Sequence, residues 1–194
     1  HILAANVDLV LLVVTVAHPE TSTTFIDRFL ASAEAYRIPV ALVFNKTDLY
    51  TVDDLRYMQA MMTLYRSLGY ECIACSATRG EGLEPVQQLL ADRTTLLSGN
   101  RGVGKSTLLN RLIPGLDVRT AAVSVAHDTG THTTTFSAMY DVPTGGRLID
   151  TPGIKGFGTF DMEREEVAHY FREIFQISAD CRFNTCIHTH EPGC

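Results

Sequence analysis

The chain has 194 residues, is 45% hydrophobic and carries a formal net charge of -6, enough for one substantial core with a tail and too acidic for a protein that coats nucleic acid nonspecifically. No apolar run reaches the roughly 18 residues of a membrane span; the longest, around residues 10–16, suits a buried strand. The opening His1-Ile2-Leu3-Ala4-Ala5-Asn6 has no basic region ahead of an apolar stretch and no cleavage signal, so a soluble cytoplasmic protein that does not touch a membrane is expected.

In chain order, residues 7–16 are rich in Val and Leu and read as a strand buried on both faces of a parallel sheet. Phe25, Ile26, Phe29, Leu30 and Ala33 recur at helical spacing and predict a helix over 22–35. Pro39 then leads into a short strand, Val40–Phe44. The alternation continues with a helix at 53–68, a strand at 72–75, a helix at 83–90 and a strand at 94–97. Strand and helix in turn predict an α/β fold, a mostly parallel sheet with helices on both faces. Beyond Ile113 a Thr-, Ser-, His- and Gly-rich stretch to Thr133 reads as a loop. Two strands flank Gly145-Gly146, at 135–142 and 147–150, and a last helix is expected over 163–175.

Gly99-Asn100-Arg101-Gly102-Val103-Gly104-Lys105-Ser106 matches G-x-x-x-x-G-K-[ST] between a predicted strand and an amphipathic helix. Glycines let the backbone N–H groups turn inward on phosphate oxygens, the helix N-terminus adds partial positive charge, and Lys105 adds a full one. Asn100, Arg101, Gly102, Val103, Gly104, Lys105, Ser106 and Thr107 are therefore the expected phosphate-binding residues, with Ser106 a ligand of Mg²⁺.

Asn45-Lys46-Thr47-Asp48 follows a buried strand, at the carboxyl edge where parallel sheets bind ligands. The Asp48 carboxylate can accept both the N1–H and the 2-amino protons of guanine, a pair adenine does not offer. Asn45 would brace the loop and Lys46 would lie along the base. Ser76-Ala77-Thr78, after the strand at 72–75, could bring a backbone N–H to the base oxygen, with Ser76 and Ala77 the expected contacts. Cys72 and Cys75 have C-x-x-C spacing, but on a strand this sends the side chains to opposite faces, so packing is expected rather than chemistry.

Asp150-Thr151-Pro152-Gly153 ends an apolar strand, as suits a carboxylate beside a hydrated Mg²⁺ and a Gly153 N–H meeting a γ-phosphate. Among the threonines of 131–135, Thr134 is the expected second Mg²⁺ ligand. Ile154 stands where a Ras-like switch has its water-orienting glutamine. His132 is the nearest group able to orient or deprotonate water near neutral pH.

The guanine-reading stretch thus precedes the phosphate loop, the reverse of an ordinary GTPase. A short join around residues 90–93 would allow such a rotation of the chain without altering the site. Three of the five cysteines crowd the end of the chain beside histidines, which favours a metal over disulfides. Cys181, Cys186, His188 and Cys194 offer three thiolates and an imidazole for a closed, structural zinc site, with His190 the alternative to His188. Residues 1–175 are expected to form the nucleotide domain, and residues 176–194 to begin a zinc module, truncated because the chain stops on a proposed ligand.

Together these features resemble the ribosome small-subunit-dependent GTPase A family, RsgA or YjeQ, bacterial circularly permuted P-loop GTPases. The likeness rests on Asn45-Lys46-Thr47-Asp48-Leu49, Gly102-Val103-Gly104-Lys105-Ser106, His132-Thr133-Thr134-Thr135, Asp150-Thr151-Pro152-Gly153 and Cys186-Ile187-His188. It implies a GTPase, cycling between GTP and GDP with Mg²⁺ and one structural Zn²⁺, that matures the 30S small ribosomal subunit and contacts its 16S rRNA. Turnover would be stimulated by the subunit, the protein would be a monomer, and His132 would be the catalytic residue. The family also carries an N-terminal OB-fold and continues beyond the last zinc cysteine, and Asn100-Arg101 replaces its usual Gln-Ser. A module that holds GTP with little catalysis is the alternative; an ATP-dependent P-loop enzyme is disfavoured by Asp48.

Overall fold

The structure is a computed structural model that describes residues 6–118, 138–150, 166–184 and 186–194. The elements run β1 (Leu9–Val14), α1 (Thr23–Ala35), β2 (Val40–Phe44), α2 (Val52–Ser67), β3 (Glu71–Ala74), α3 (Glu84–Leu90), β4 (Thr94–Ser98), α4 (Lys105–Leu112), β5 (Ala138–Asp141), β6 (Arg147–Asp150) and α5 (Arg172–Ser178). Short 3₁₀ turns occupy Thr47–Leu49 and Val167–Tyr170.

The strands form one six-stranded sheet in the order β3-β2-β1-β4-β6-β5, parallel except for the antiparallel β5–β6 hairpin. β1 lies buried near the middle, and its alternation divides the core in two. Val10, Leu12 and Val14 pack with Ile26 and Phe29 of α1 and with Met58, Met61, Met62 and Tyr65 of α2. Leu9, Leu11 and Val13 pack on the other side with Val86 and Leu90 of α3 and with Leu108, Leu109 and Leu112 of α4. A strand with a helix layer on each face has no solvent side, which is why it reads as a continuous apolar run. Cys72 and Cys75 are buried in opposite layers, as their spacing predicts.

Caps set the helix starts. Ser22 Oγ accepts from Phe25 N–H at 3.3 Å to open α1. Thr51 and Asp54 form a reciprocal capping box on α2, with Asp54 N–H to Thr51 Oγ1 at 3.2 Å and Thr51 N–H to Asp54 Oδ2 at 2.9 Å. The Thr51 hydroxyl, donating to Asp54 Oδ2 at 2.7 Å, and then the Thr51 N–H favour the charged form and hold the Asp54 carboxyl below its ordinary pKa.

Only residues 91–93 join α3 to β4. The β5–β6 turn rests on this join: a Cβ at Gly146 would run into the carbonyl oxygens of Leu90 and Arg93, so the backbones meet there with no room for a side chain. The helix expected over 163–175 differs from the observed segment. Within the described residues the chain makes the 3₁₀ turn, leaves it at an extended Phe171, and only then forms α5. Arg172 explains the break. Its Nε donates to Glu34 Oε1 at 2.8 Å and its Nη1 to the Leu68 carbonyl at 3.0 Å, while its guanidinium carbon lies 4.1 Å from the centre of the Tyr70 ring. Tertiary partners on α1, α2 and the approach to β3 decide the backbone here, over local periodicity. Among the described residues no helix is long and apolar enough to cross a membrane.

Candidate functional site

The carboxyl ends of β1, β2, β3, β4 and β6 open on the same edge of the sheet, and the chain reverses its direction of travel between β1 and β4. Ligands of open parallel sheets sit in this crevice. β4 delivers the loop 99–104, and α4 starts at Lys105 after a left-handed Gly104 with φ of 96°. A Cβ on Gly104 would collide with the amide nitrogen of Asn45, so glycine is required by both backbone angle and space. Val103 is buried, Asn100, Ser106 and Thr107 are half-buried, and Arg101 and Gly102 are exposed. The Lys105 ammonium donates to the carbonyls of Gly99 at 2.7 Å and Asn100 at 2.8 Å, which places it inside the curl of the loop.

Asn45 ties three of the stretches together from a position 1% exposed. Its Nδ2 donates to the Val103 carbonyl at 2.9 Å, while its Oδ1 accepts from Ala77 N–H at 3.0 Å and from the Cys75 thiol at 3.5 Å. Lys46 follows with φ of 69° and donates from Nζ to the His18 carbonyl at 2.5 Å. Burial lowers its pKa, and Asp48 partly opposes this. Ser76 Oγ donates to Asp48 Oδ1 at 2.5 Å, fixing one carboxylate oxygen. Sequence reasoning missed Tyr50, whose hydroxyl donates to the Asn45 carbonyl at 2.5 Å and accepts from Val16 N–H at 3.0 Å. Burial pushes that phenol up to about 12, keeping it a neutral donor. It also missed Arg111, which crosses from α4 to the carbonyls of Ala77 and Thr78. A charged residue on the outward face of a helix carries no mark in the sequence of where it reaches.

Asp150 ends β6, beside β4 and facing Lys105. Burial raises its pKa and Lys105 lowers it; the reverse pair of effects acts on Lys105, with burial the larger in both. Asp150 Oδ1 is buried and meets no donor among the described residues. A carboxylate oxygen left open beside the phosphate loop suits the water shell of a divalent cation, so the chain fits Mg²⁺ at this point. His132, Thr134 and Gly153 lie outside the described residues.

At the other end, Cys181, Cys186, His188 and Cys194 bring one ligand atom each to within 4.8 Å of one another. His188 Nδ1 lies 3.6 Å from the sulfur of Cys181, 3.6 Å from that of Cys186 and 3.4 Å from that of Cys194. Around a tetrahedral zinc, a sulfur and a nitrogen ligand stand roughly 3.5 Å apart, so the donor set fits that metal. His188 Nδ1, not His190, points into the cluster. Glu191 organises the loop by accepting from the N–H groups of Ile187 at 2.8 Å, Thr189 at 3.0 Å and His190 at 3.0 Å. Those bonds pull its carboxyl down to about 2.

Sheet order, phosphate loop and base-side loops define a P-loop GTPase domain in circularly permuted form. Residues 1–160 match the RsgA GTPase family, and the chain belongs to it. It is 61% identical over 194 residues to the Small ribosomal subunit biogenesis GTPase RsgA of Bacteroides fragilis, covering all of this chain and 63% of that protein. Its identity to the relative of that name in Porphyromonas gingivalis is 57%, covering 62% of that protein. The chain thus spans less than two thirds of the curated relatives it matches. Among solved structures, YjeQ from Thermotoga maritima is 40% identical with a TM-score of 0.81, covering 97% of this chain and 62% of that one. YloQ, described as a circularly permuted GTPase, is 30% identical with a TM-score of 0.78, covering 97% and 59%.

Proposed function

We propose that this chain is the nucleotide-binding and GTP-hydrolysing part of a switch that acts in maturation of the 30S small ribosomal subunit, its turnover stimulated by the subunit and its 16S rRNA. The observation that carries this reading is Asn45, which bonds at once to the phosphate loop and to the Ser76-Ala77 loop. One buried amide couples the place where phosphates would sit to the place where a base would be read. The names of the relatives supply the ribosomal side.

In this reading Asp48 takes the N1–H and 2-amino protons of guanine, with Ser76 holding its second oxygen in place. Lys105 and the N–H groups of residues 100–107 neutralise the phosphates. Ser106, Thr134 and Asp150 serve Mg²⁺, which when bound offsets charge on the β- and γ-phosphates. Gly153 meets the γ-phosphate, and His132 orients water in place of a switch glutamine. Residues 1–175 act as the nucleotide domain. Residues 176–194 are stapled by a zinc ion on Cys181, Cys186, His188 and Cys194, whose binding free energy orders a segment with almost no core of its own. The protein works in the cytoplasm, as a monomer.

Hydrolysis of GTP and ATP by the full-length protein, with and without purified small subunits, tests this. Subunit-stimulated GTP turnover is expected, lost in His132→Ala, with guanine preference lost in Asp48→Asn. Equal use of ATP would remove the guanine assignment, and indifference to the subunit would remove the ribosomal one.

A further inference from the structure

Arg111 lies in the last turn of α4, six residues after Lys105. Its Nε donates to the Ala77 carbonyl at 3.0 Å and its Nη2 to the Thr78 carbonyl at 2.7 Å. A planar guanidinium presents two N–H groups along one edge, so a single side chain holds two successive carbonyls. In a trans peptide the carbonyl of one residue and the N–H of the next point in opposite directions. Holding the Ala77 carbonyl against α4 therefore turns the Thr78 N–H away from that helix. Holding the Thr78 carbonyl turns the Arg79 N–H to the same side.

The partners of these N–H groups show what that side faces. Arg79 N–H reaches Ser76 Oγ at 3.1 Å, and that hydroxyl donates to Asp48 Oδ1 at 2.5 Å. Ala77 N–H is already taken by Asn45 Oδ1 at 3.0 Å. Among the described residues nothing accepts the Thr78 N–H. The loop thus presents one open donor on the side of Asp48.

We infer that Arg111 aims the Thr78 N–H at the 6-oxo group of a guanine whose N1–H and 2-amino group are read by Asp48, which makes Arg111 a positioning residue for base specificity. The inference rests on the guanine reading above. An adenine would set its 6-amino donor against this N–H donor, an unpaired contact in a part-buried site. The same helix that opens on the phosphate loop thereby fixes the loop that reads the base.

6-Thioguanosine triphosphate keeps both protons read by Asp48 and replaces the 6-oxygen with a much weaker acceptor. Competition against a fluorescent guanine nucleotide on the full chain is expected to show GTP favoured over the thio analogue by about tenfold, the worth of one hydrogen bond in a part-buried site. Arg111→Ala should bring that ratio close to one at an unchanged melting temperature, with Arg111→Lys recovering part of it. Thr78→Pro, which removes the N–H itself at a residue outside the positive-φ set, should match Arg111→Ala and guards against misfolding of the first variant. The inference is overturned if the ratio survives Arg111→Ala, whatever Thr78→Pro does, or if both nucleotides weaken by the same factor, which is the mark of mere support for the loop. A wild type that does not separate GTP from ATP would instead overturn the guanine reading beneath it.

Discussion

The sheet around β1 and the segment from Val167 to Cys194 are held by different means. Five of the six residues of β1 are at most 1% exposed, packed by helices on both faces. In the distal segment α5 buries none of its residues, and Phe175 and Ile177 stand 56% and 65% exposed. Among its described residues only Ala168 and Cys186 are buried apolar groups. Its contacts are few and directed: the Arg172 hub, and the gathering of Cys181, Cys186, His188 and Cys194 that could hold a metal ion. Apolar burial is non-directional and shared over many residues, whereas an ion pair or a metal cluster acts through single atoms. The first region should fail as a whole and the second piece by piece.

The largest expected effect is Leu12→Ala, at a fully buried site between α1 and α2. It should remove about 3–5 kcal/mol, a fall of on the order of 10 °C in melting temperature, read by calorimetry or urea unfolding. Next is Cys186→Ser, or chelation of metal from the full chain. Exchange protection should disappear across 181–194 while β1 to β4 keep theirs, as read by hydrogen-exchange mass spectrometry; loss of protection in the sheet would erase the contrast. Arg172→Ala should free α5 at about 1–2 kcal/mol of local stability, speeding amide exchange in 172–178 while the metal cluster persists. The smallest effect is at Asp150. Because its pKa is raised in the fold, its ionisation opposes folding, and that penalty grows as pH rises through the ordinary carboxylate range. Asp150→Asn should therefore raise the melting temperature slightly near neutral pH and flatten its pH dependence, while weakening Mg²⁺-dependent nucleotide binding. A lowered melting temperature would show that the charge of Lys105 outweighs burial.

Much of the fold was legible because its signals are local. The apolar run at β1 and the glycines of 99–104 each state a requirement that neighbouring residues meet. The gathering of Cys181, Cys186, His188 and Cys194 was legible for the same reason, since four donors within fourteen positions can come together; that His188 turns into it is seen only in the fold, where its Nδ1 lies 3.6, 3.6 and 3.4 Å from the three sulfurs. The last helix was misplaced, because Phe171 is extended through the partners of its neighbour Arg172, which stand more than a hundred positions away in the chain. Tyr50 and Arg111 were missed on similar grounds.

The sequence by itself determined the order of elements, the double-sided burial of the central strand and the stretches that meet at the sheet's carboxyl edge. These follow from periodicity and backbone freedom, which act over a few residues. Only the tertiary structure decided that Asn45 spans two loops, that Arg111 grips the carbonyls of Ala77 and Thr78, and that Arg172 breaks a helix to reach Glu34. A hydrogen bond or ion pair is set by where two backbones come to lie, and side chains of the same type with no such partner look identical in the sequence.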